Sequence, residues 1–175
     1  MSTAFITRMK AELKQFELNP IPGFAASPSK NEDGTFNWMA WEGVVPGMKS
    51  TAWELGRYPV FLYYNDRYPR SLPLVRFKSG TFHPNIGSLR YLKIPTGMLE
   101  PEFLSANLDV RMIMLAIQHI LAYPDLDLNA RLNPLAFCVF IAKRTQYDAI
   151  ICRQAKIYAE KQISQPTPPN NQKNN

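Results

Sequence analysis

Thr81-Phe82-His83-Pro84-Asn85, continued by Gly87-Ser88-Leu89-Arg90-Tyr91-Leu92-Lys93-Ile94-Pro95, is the stretch on which the reading of this chain turns. Before it, runs of β-branched and aromatic residues alternate with turn residues; after it, helical periodicity takes over. Pro84 fixes the backbone of a turn, and the flanking His and Asn can brace that turn through hydrogen bonds to nearby backbone. On the upstream side, residues 24–29, 37–45, 58–64 and 74–77 read as strands of an antiparallel meander. Asn31-Glu32-Asp33-Gly34 forms the turn between the first two. Earlier still, a Ser2-Thr3 cap followed by Phe5, Ile6, Met9, Leu13 and Phe16 predicts an amphipathic helix, ended by Asn19-Pro20-Ile21-Pro22-Gly23.

On the downstream side, residues 94–105 carry Pro95, Gly97 and Pro101 and read as a long loop. Val110, Ile113, Met114, Ile117 and Leu121, with Met112, Leu115 and Ala116 between them, predict a helix apolar nearly all round and therefore central and buried. Tyr123-Pro124-Asp125 closes it. A last helix is expected over residues 134–162, with Ala136, Phe140, Tyr147, Ile150, Ile151, Ala155 and Tyr158 on one broad face. The class is α+β, with one domain over residues 1–162 and a polar tail, 163–175, of Pro, Gln, Asn and Lys.

Composition narrows the function classes. The 175 residues carry a net charge of +6, but the basic residues are scattered, so the charge reads as solubility. Arg57-Tyr58 and Arg67-Tyr68 are isolated pairs, and no nucleic-acid-binding module is present; nucleic acid is not an expected partner. No apolar run reaches the roughly 20 residues that cross a bilayer, and Arg8, Lys10, Glu12 and Lys14 interrupt any signal-peptide core. Cys138 and Cys152 fall on the one predicted last helix, where 14 residues at about 1.5 Å each separate them by roughly 21 Å, too far for a disulfide. Both are expected to be buried thiols of an intracellular protein. His83 and His119 lack ligand-like spacing to either, so neither metal nor cofactor is expected.

The order of motifs carries further information. Gly23-Phe24, Lys30-Asn31, Asp33-Gly34-Thr35, Trp41-Glu42, Pro46-Gly47, Trp53-Glu54, Tyr68-Pro69, Phe82-His83-Pro84-Asn85 and Gln154-Ala155-Lys156 fall in sequence at near-regular family spacing. Together they resemble the ubiquitin-conjugating (E2) enzymes, above all the SUMO-conjugating branch, over about residues 1–160. The resemblance implies a UBC-like fold: an N-terminal helix, a four-stranded antiparallel meander sheet, a buried central helix and C-terminal helices.

It also implies a nucleophilic thiol shortly after the Asn, and none stands there. An ungapped count puts Lys93 in its place, whereas matching Leu92 and Ile94 to the family's hydrophobic pair puts Tyr91 there. A phenol or an amine does not form the exchangeable thioester on which such an enzyme relies. Hence the expectation that the chain is not an enzyme, with His83, Pro84, Asn85, Tyr91 and Lys93 as a degenerate site. The expected role is an inactive interaction or structural subunit of a larger assembly, such as a mitochondrial respiratory complex of a protist, with other protein subunits as partners. The alternative is a ubiquitin- or SUMO-pathway variant that binds the modifier or assists an active E2. An active transferase using Cys138 or Cys152 is a third reading, disfavoured because the resemblance places the C-terminal helix away from the His-Pro-Asn turn. Leu13, Glu17 and Pro20 stand where the SUMO branch presents basic residues or their loop. Partner contacts are therefore expected at Met9, Leu13, Phe16, Glu17 and Leu18, and in the loop at Met98 and Leu99, part of Leu99-Glu100-Pro101-Glu102-Phe103. The resemblance suggests cytoplasm and nucleus, with a mitochondrial complex as the alternative.

Overall fold

The structure, a computed structural model, describes residues 2–94 and 108–163. The chain opens with α1 (Thr3–Leu18), whose first turn is capped by Ser2, its Oγ accepting from Phe5 N–H at 3.2 Å. An antiparallel sheet follows, with β1 (Ala25–Lys30), β2 (Phe36–Pro46), β3 (Arg57–Tyr63) and β4 (Leu74–Phe77) neighbouring one another in chain order. The meander is extended by one element not anticipated, the two-residue β5 (Tyr91–Leu92), which pairs with Val75 and Arg76 of β4. Two residues are too few for an alternation pattern to announce a strand. The β1–β2 turn forms as expected: Gly34 takes φ +82, open to it without a Cβ, and Asp33 Oδ1 accepts from Thr35 N–H at 2.9 Å.

Strand alternation decides which face is buried. Trp41 and Val45 of β2, Tyr58, Val60 and Leu62 of β3, and Val75 and Phe77 of β4 all turn to one side, where α2 (Val110–Ala122) lies across them. Gly43 makes room for that helix, because a Cβ there would come within 2.8 Å of Met114 Cε. Buried side chains run almost all along α2, from Val110 through Ile113, Met114, Ile117 and Ile120 to Ala122. Each large one contributes roughly 1.5–3 kcal/mol by leaving water. On α1, Phe5, Met9 and Phe16 join this core and Leu13 packs against it.

The last helical stretch departs from the single helix expected. It divides at Lys143 into α3 (Pro134–Ala142), capped by Asn133, and α4 (Arg144–Ile163). Lys143 leaves helical geometry at φ −143, ψ 59. Seven residues along an unbroken helix would hold Phe140 and Tyr147 about 10 Å apart. The break instead brings their rings to 5.0 Å, edge to face. Cys138 and Cys152 thus lie on different helices, and both thiols are free and exposed, correcting the expectation of two buried thiols on one helix. They point away from the buried residues Ala136, Tyr147, Ile151, Ala155 and Tyr158.

One knot fixes the β2–β3 connection. Trp53 C=O accepts from Gly56 N–H (2.9 Å) and Tyr58 O–H (3.2 Å), and a Cβ on Gly47 would sit 1.7 Å from that same oxygen. Gly47→Ala is therefore expected to destabilise the fold by about 3 kcal/mol or more, whereas Gly34→Ala, with nothing within 4 Å of its Cβ, loses only about 1 kcal/mol for its left-handed backbone. Urea denaturation of the two variants measures the contrast; equal losses would contradict the packing described.

Candidate functional site

Thr81 to Asn85 leaves the sheet and runs beneath the C-terminal helices. Thr81 Oγ1 lies 2.9 Å from Tyr158 Oη, and Phe82 N–H donates to Gln154 Oε1 at 2.7 Å. The last helix thus packs against the two residues that lead into the His-Pro-Asn turn, its Gln154 and Tyr158 satisfying polar groups there. Pro84 C=O accepts from both Leu132 and Asn133 N–H (2.9 and 3.0 Å), fastening the turn to the start of α3.

His83 and Asn85 are wholly buried. Asn85 N–H donates to His83 Nδ1 at 3.0 Å, so that nitrogen carries no proton and Nε2–H donates to Ile120 C=O at 3.0 Å. The ring meets Trp53 edge to face at 5.6 Å. With no water around it, its pKa is pushed down to about 3, against the pull of the Ile120 and Leu121 carbonyls. Asn85 spends its whole carboxamide internally. Nδ2 donates to Asp125 C=O (2.7 Å) and Ala130 C=O (3.0 Å), while Oδ1 accepts from Asp125 N–H (2.9 Å). Both amide protons are committed, and the turn links β4 to the chain beyond α2.

Residues 86–93 hang from this frame. Ile86 bridges to Leu92, Gly87 N–H donates to Tyr91 C=O (3.1 Å), and Arg90 closes the loop at φ +68. Tyr91 is partly exposed, paired with Arg76, whose guanidinium lies 5.7 Å from its ring centroid. Lys93 is exposed, with its N–H donating to Asn85 C=O (3.2 Å) and Nζ to Asn129 C=O (2.7 Å). The structure therefore brings His83, Pro84, Asn85 and Lys93 together, with Tyr91 two residues before Lys93. A hollow of about 470 Å³ opens beside them, lined by Phe82, Ile86, Gly87, Arg90, Leu132 and Gln154. Both thiols are excluded from the imidazole, whose two nitrogens are taken by backbone. Among the described residues no three His, Cys, Asp or Glu side chains come together to hold a metal.

The partner residues expected on α1 fare differently. Met9 and Phe16 are core residues and Leu13 is half-buried against the core, since this face of α1 covers the sheet edge and α2; they are not free contacts. Glu17 and Leu18 remain exposed. Met98 and Leu99, with the loop to Phe103, lie outside the described residues.

One buried group escaped sequence reading. Glu12, 7% exposed, accepts from Arg8 Nε (2.8 Å), Tyr68 O–H (2.8 Å) and Val110 N–H (3.0 Å). Burial pushes its carboxyl up despite these partners. A lone acid between Met9 and Phe16 on the apolar stripe was the available signal.

The chain matches the family profile described as ubiquitin-conjugating enzyme over residues 8–155. It is 30% identical over 165 residues to the SUMO-conjugating enzyme UBC9 of Caenorhabditis elegans, covering 91% of this chain and 94% of that protein. It is also 30% identical over 157 residues to the Sumo-conjugating enzyme ubc9 of Dictyostelium discoideum, covering 86% and 93%. These findings overturn the expectation that the chain is not an enzyme: the relatives it follows along nearly its whole length are conjugating enzymes. That expectation rested on one short segment, 87–95, whose alignment left both Tyr91 and Lys93 open. A reading of so short a segment does not outweigh agreement along the chain.

Burial of neutral His83 predicts a pH dependence. Its folded value near 3 lies below the ordinary 6.5, so between these the unfolded chain binds the extra proton. Stability is full above pH 6.5 and falls as pH drops through that window. Glu12, raised in the fold, works in the opposite sense, adding stability on the acid side that is lost as pH rises through its folded value. The His83 shift dominates, and urea denaturation should show a loss of the order of 2 kcal/mol between pH 7 and 4.5. His83→Gln should flatten that slope. An unchanged slope would show that His83 is not the buried neutral group.

Proposed function

The chain belongs to the ubiquitin-conjugating enzyme family, and from this we propose that it serves the SUMO-conjugation pathway, binding the modifier or working beside an active conjugating enzyme. The observation that carries the reading is the length of the similarity: two SUMO-conjugating enzymes match at 30% identity across more than nine-tenths of their own lengths. A shared scaffold alone would not favour SUMO over ubiquitin; the similarity to two named SUMO-conjugating enzymes does.

In this reading the His83-Pro84-Asn85 turn holds the segment from Gly87 to Lys93 in place, and Tyr91 and Lys93 stand at the edge of the surface offered to the modifier's tail. Glu17 and Leu18, exposed at the end of α1, together with Met98 and Leu99, are the partner contacts. An acidic Glu17 at this point selects against acidic surfaces and so favours a different partner face from that of a basic α1. A fixed place in a respiratory assembly draws no support from these relatives, both named as conjugating enzymes.

NMR titration of the isotope-labelled chain with a SUMO-type modifier tests the proposal. Saturable shifts are expected with a Kd of the order of 10–100 µM, typical of small transient contacts, and weaker ones with ubiquitin. Absence of shifts at millimolar modifier, together with no association with an active conjugating enzyme, would overturn it.

A further inference from the structure

α3 is made of Pro134-Leu-Ala-Phe-Cys-Val-Phe-Ile-Ala142, nine residues without one hydrogen-bonding polar or charged side chain, yet only Ala136 is buried. Leu135 is 66% and Ile141 56% exposed, Cys138 is exposed between them, and Phe137, Val139 and Phe140 are half-buried. A helix apolar on every side belongs inside a protein or against another apolar phase. α4 covers only a narrow strip of this one, through Val139 and Phe140.

The exposed charges at its two ends are cations. Arg131 precedes the helix and Lys143 and Arg144 end it, all exposed, and Arg153 and Lys156 follow on the exposed side of α4. The single acid over residues 131–159, Asp148, is paired with Arg144 at 3.0 Å. Two of the guanidiniums lie over the helix's own aromatic rings, Arg131 5.1 Å from Phe137 and Arg144 4.5 Å from Phe140. The acids just upstream, Asp125 and Asp127, turn into their own loop, accepting from Asp127 and Asn129 N–H. An aliphatic surface fringed by cations at both ends is the pattern that seats a helix in the headgroup region of a bilayer.

We propose that α3 and the basic residues around it form a docking face for an anionic lipid bilayer, with Leu135 and Ile141 entering the boundary between headgroups and acyl chains. A second copy of the chain is a poorer occupant. Whether two α3 helices met parallel or antiparallel, the cations at their ends would face one another. A protein partner fits less well too, because the most exposed side chains are aliphatic, whereas protein hot spots favour Trp, Tyr and Arg and under-represent Leu. The bilayer is met from one side only, as no described helix is long and apolar enough to cross it.

Co-sedimentation of the full chain with vesicles tests this. Phosphatidylcholine containing about 30% phosphatidylserine should retain at least tenfold or so more protein than phosphatidylcholine alone, and added salt should weaken retention. Leu135→Glu with Ile141→Glu should bring retention down to the level of the neutral vesicles, with an unchanged melting temperature because both positions are exposed. Failure to bind anionic vesicles would overturn the proposal, as would binding that the double variant leaves intact, which would be charge attraction without insertion. A dimer that the double variant dissociates would assign the face to a second copy. A natively purified, lipid-free complex in which a protein shields Cys138 from a maleimide would assign it to that protein.

Discussion

Three hydrogen bonds to one buried carboxamide hold the two halves of this molecule together. Asn85 reaches from the turn after the sheet to Asp125 and Ala130, on the far side of α2. Leaving any of these buried groups unpaired would cost about 1–3 kcal/mol. That makes the turn a fixed point, and its neighbours take their places from it. His83 bonds Ile120 near the end of α2, Pro84 bonds the start of α3, and Phe82 and Thr81 meet α4. The segment from Gly87 to Lys93 is then set by backbone bonds to Asn85 and to itself. The same bonds that shape the candidate site therefore position the C-terminal helices, and one cannot be loosened without the other.

A second buried polar group does the same at the opposite end of α2. Glu12 of α1 accepts from Val110 N–H, the first residue of that helix, while Arg8 and Tyr68 also bond Leu108 C=O. α2 is nearly all apolar, so its side chains offer few directional contacts to fix its position. Its position is specified at its N-terminus by a carboxylate and near its C-terminus by an imidazole, each from a distant part of the chain. Buried polar groups that are fully paired select one arrangement among many of similar hydrophobic energy.

Much of this is legible in the sequence. Alternation located β1 to β4, and Asn31 to Gly34 announced its own turn. The His-Pro-Asn motif marked the place where the sheet ends. The break at Lys143 is not legible because Ala142-Lys143-Arg144-Thr145 contains neither Gly nor Pro, and the Phe140–Tyr147 contact that accompanies it has no local signal. Cys138 and Cys152 stand on the exposed sides of α3 and α4, a choice of face that no local signal announces. Met9 and Phe16 resemble partner contacts in the sequence because an apolar stripe looks alike whether it meets its own core or another molecule. The absent thiol is a signal confined to residues 87–95, where both Tyr91 and Lys93 fit its place, whereas the similarity to conjugating enzymes covers nearly the whole chain.

The claim on which the rest depends is that the Asn85 carboxamide is a structural tie, closed to solvent. Hydrogen exchange of its two Nδ2 protons, followed by NMR at neutral pH, tests it most directly. Protection approaching that of the slowest core amides of α2 and β3 is the predicted result, since opening the tie requires separating the sheet from the chain beyond α2. Exchange as fast as that of an exposed side-chain amide would contradict the account.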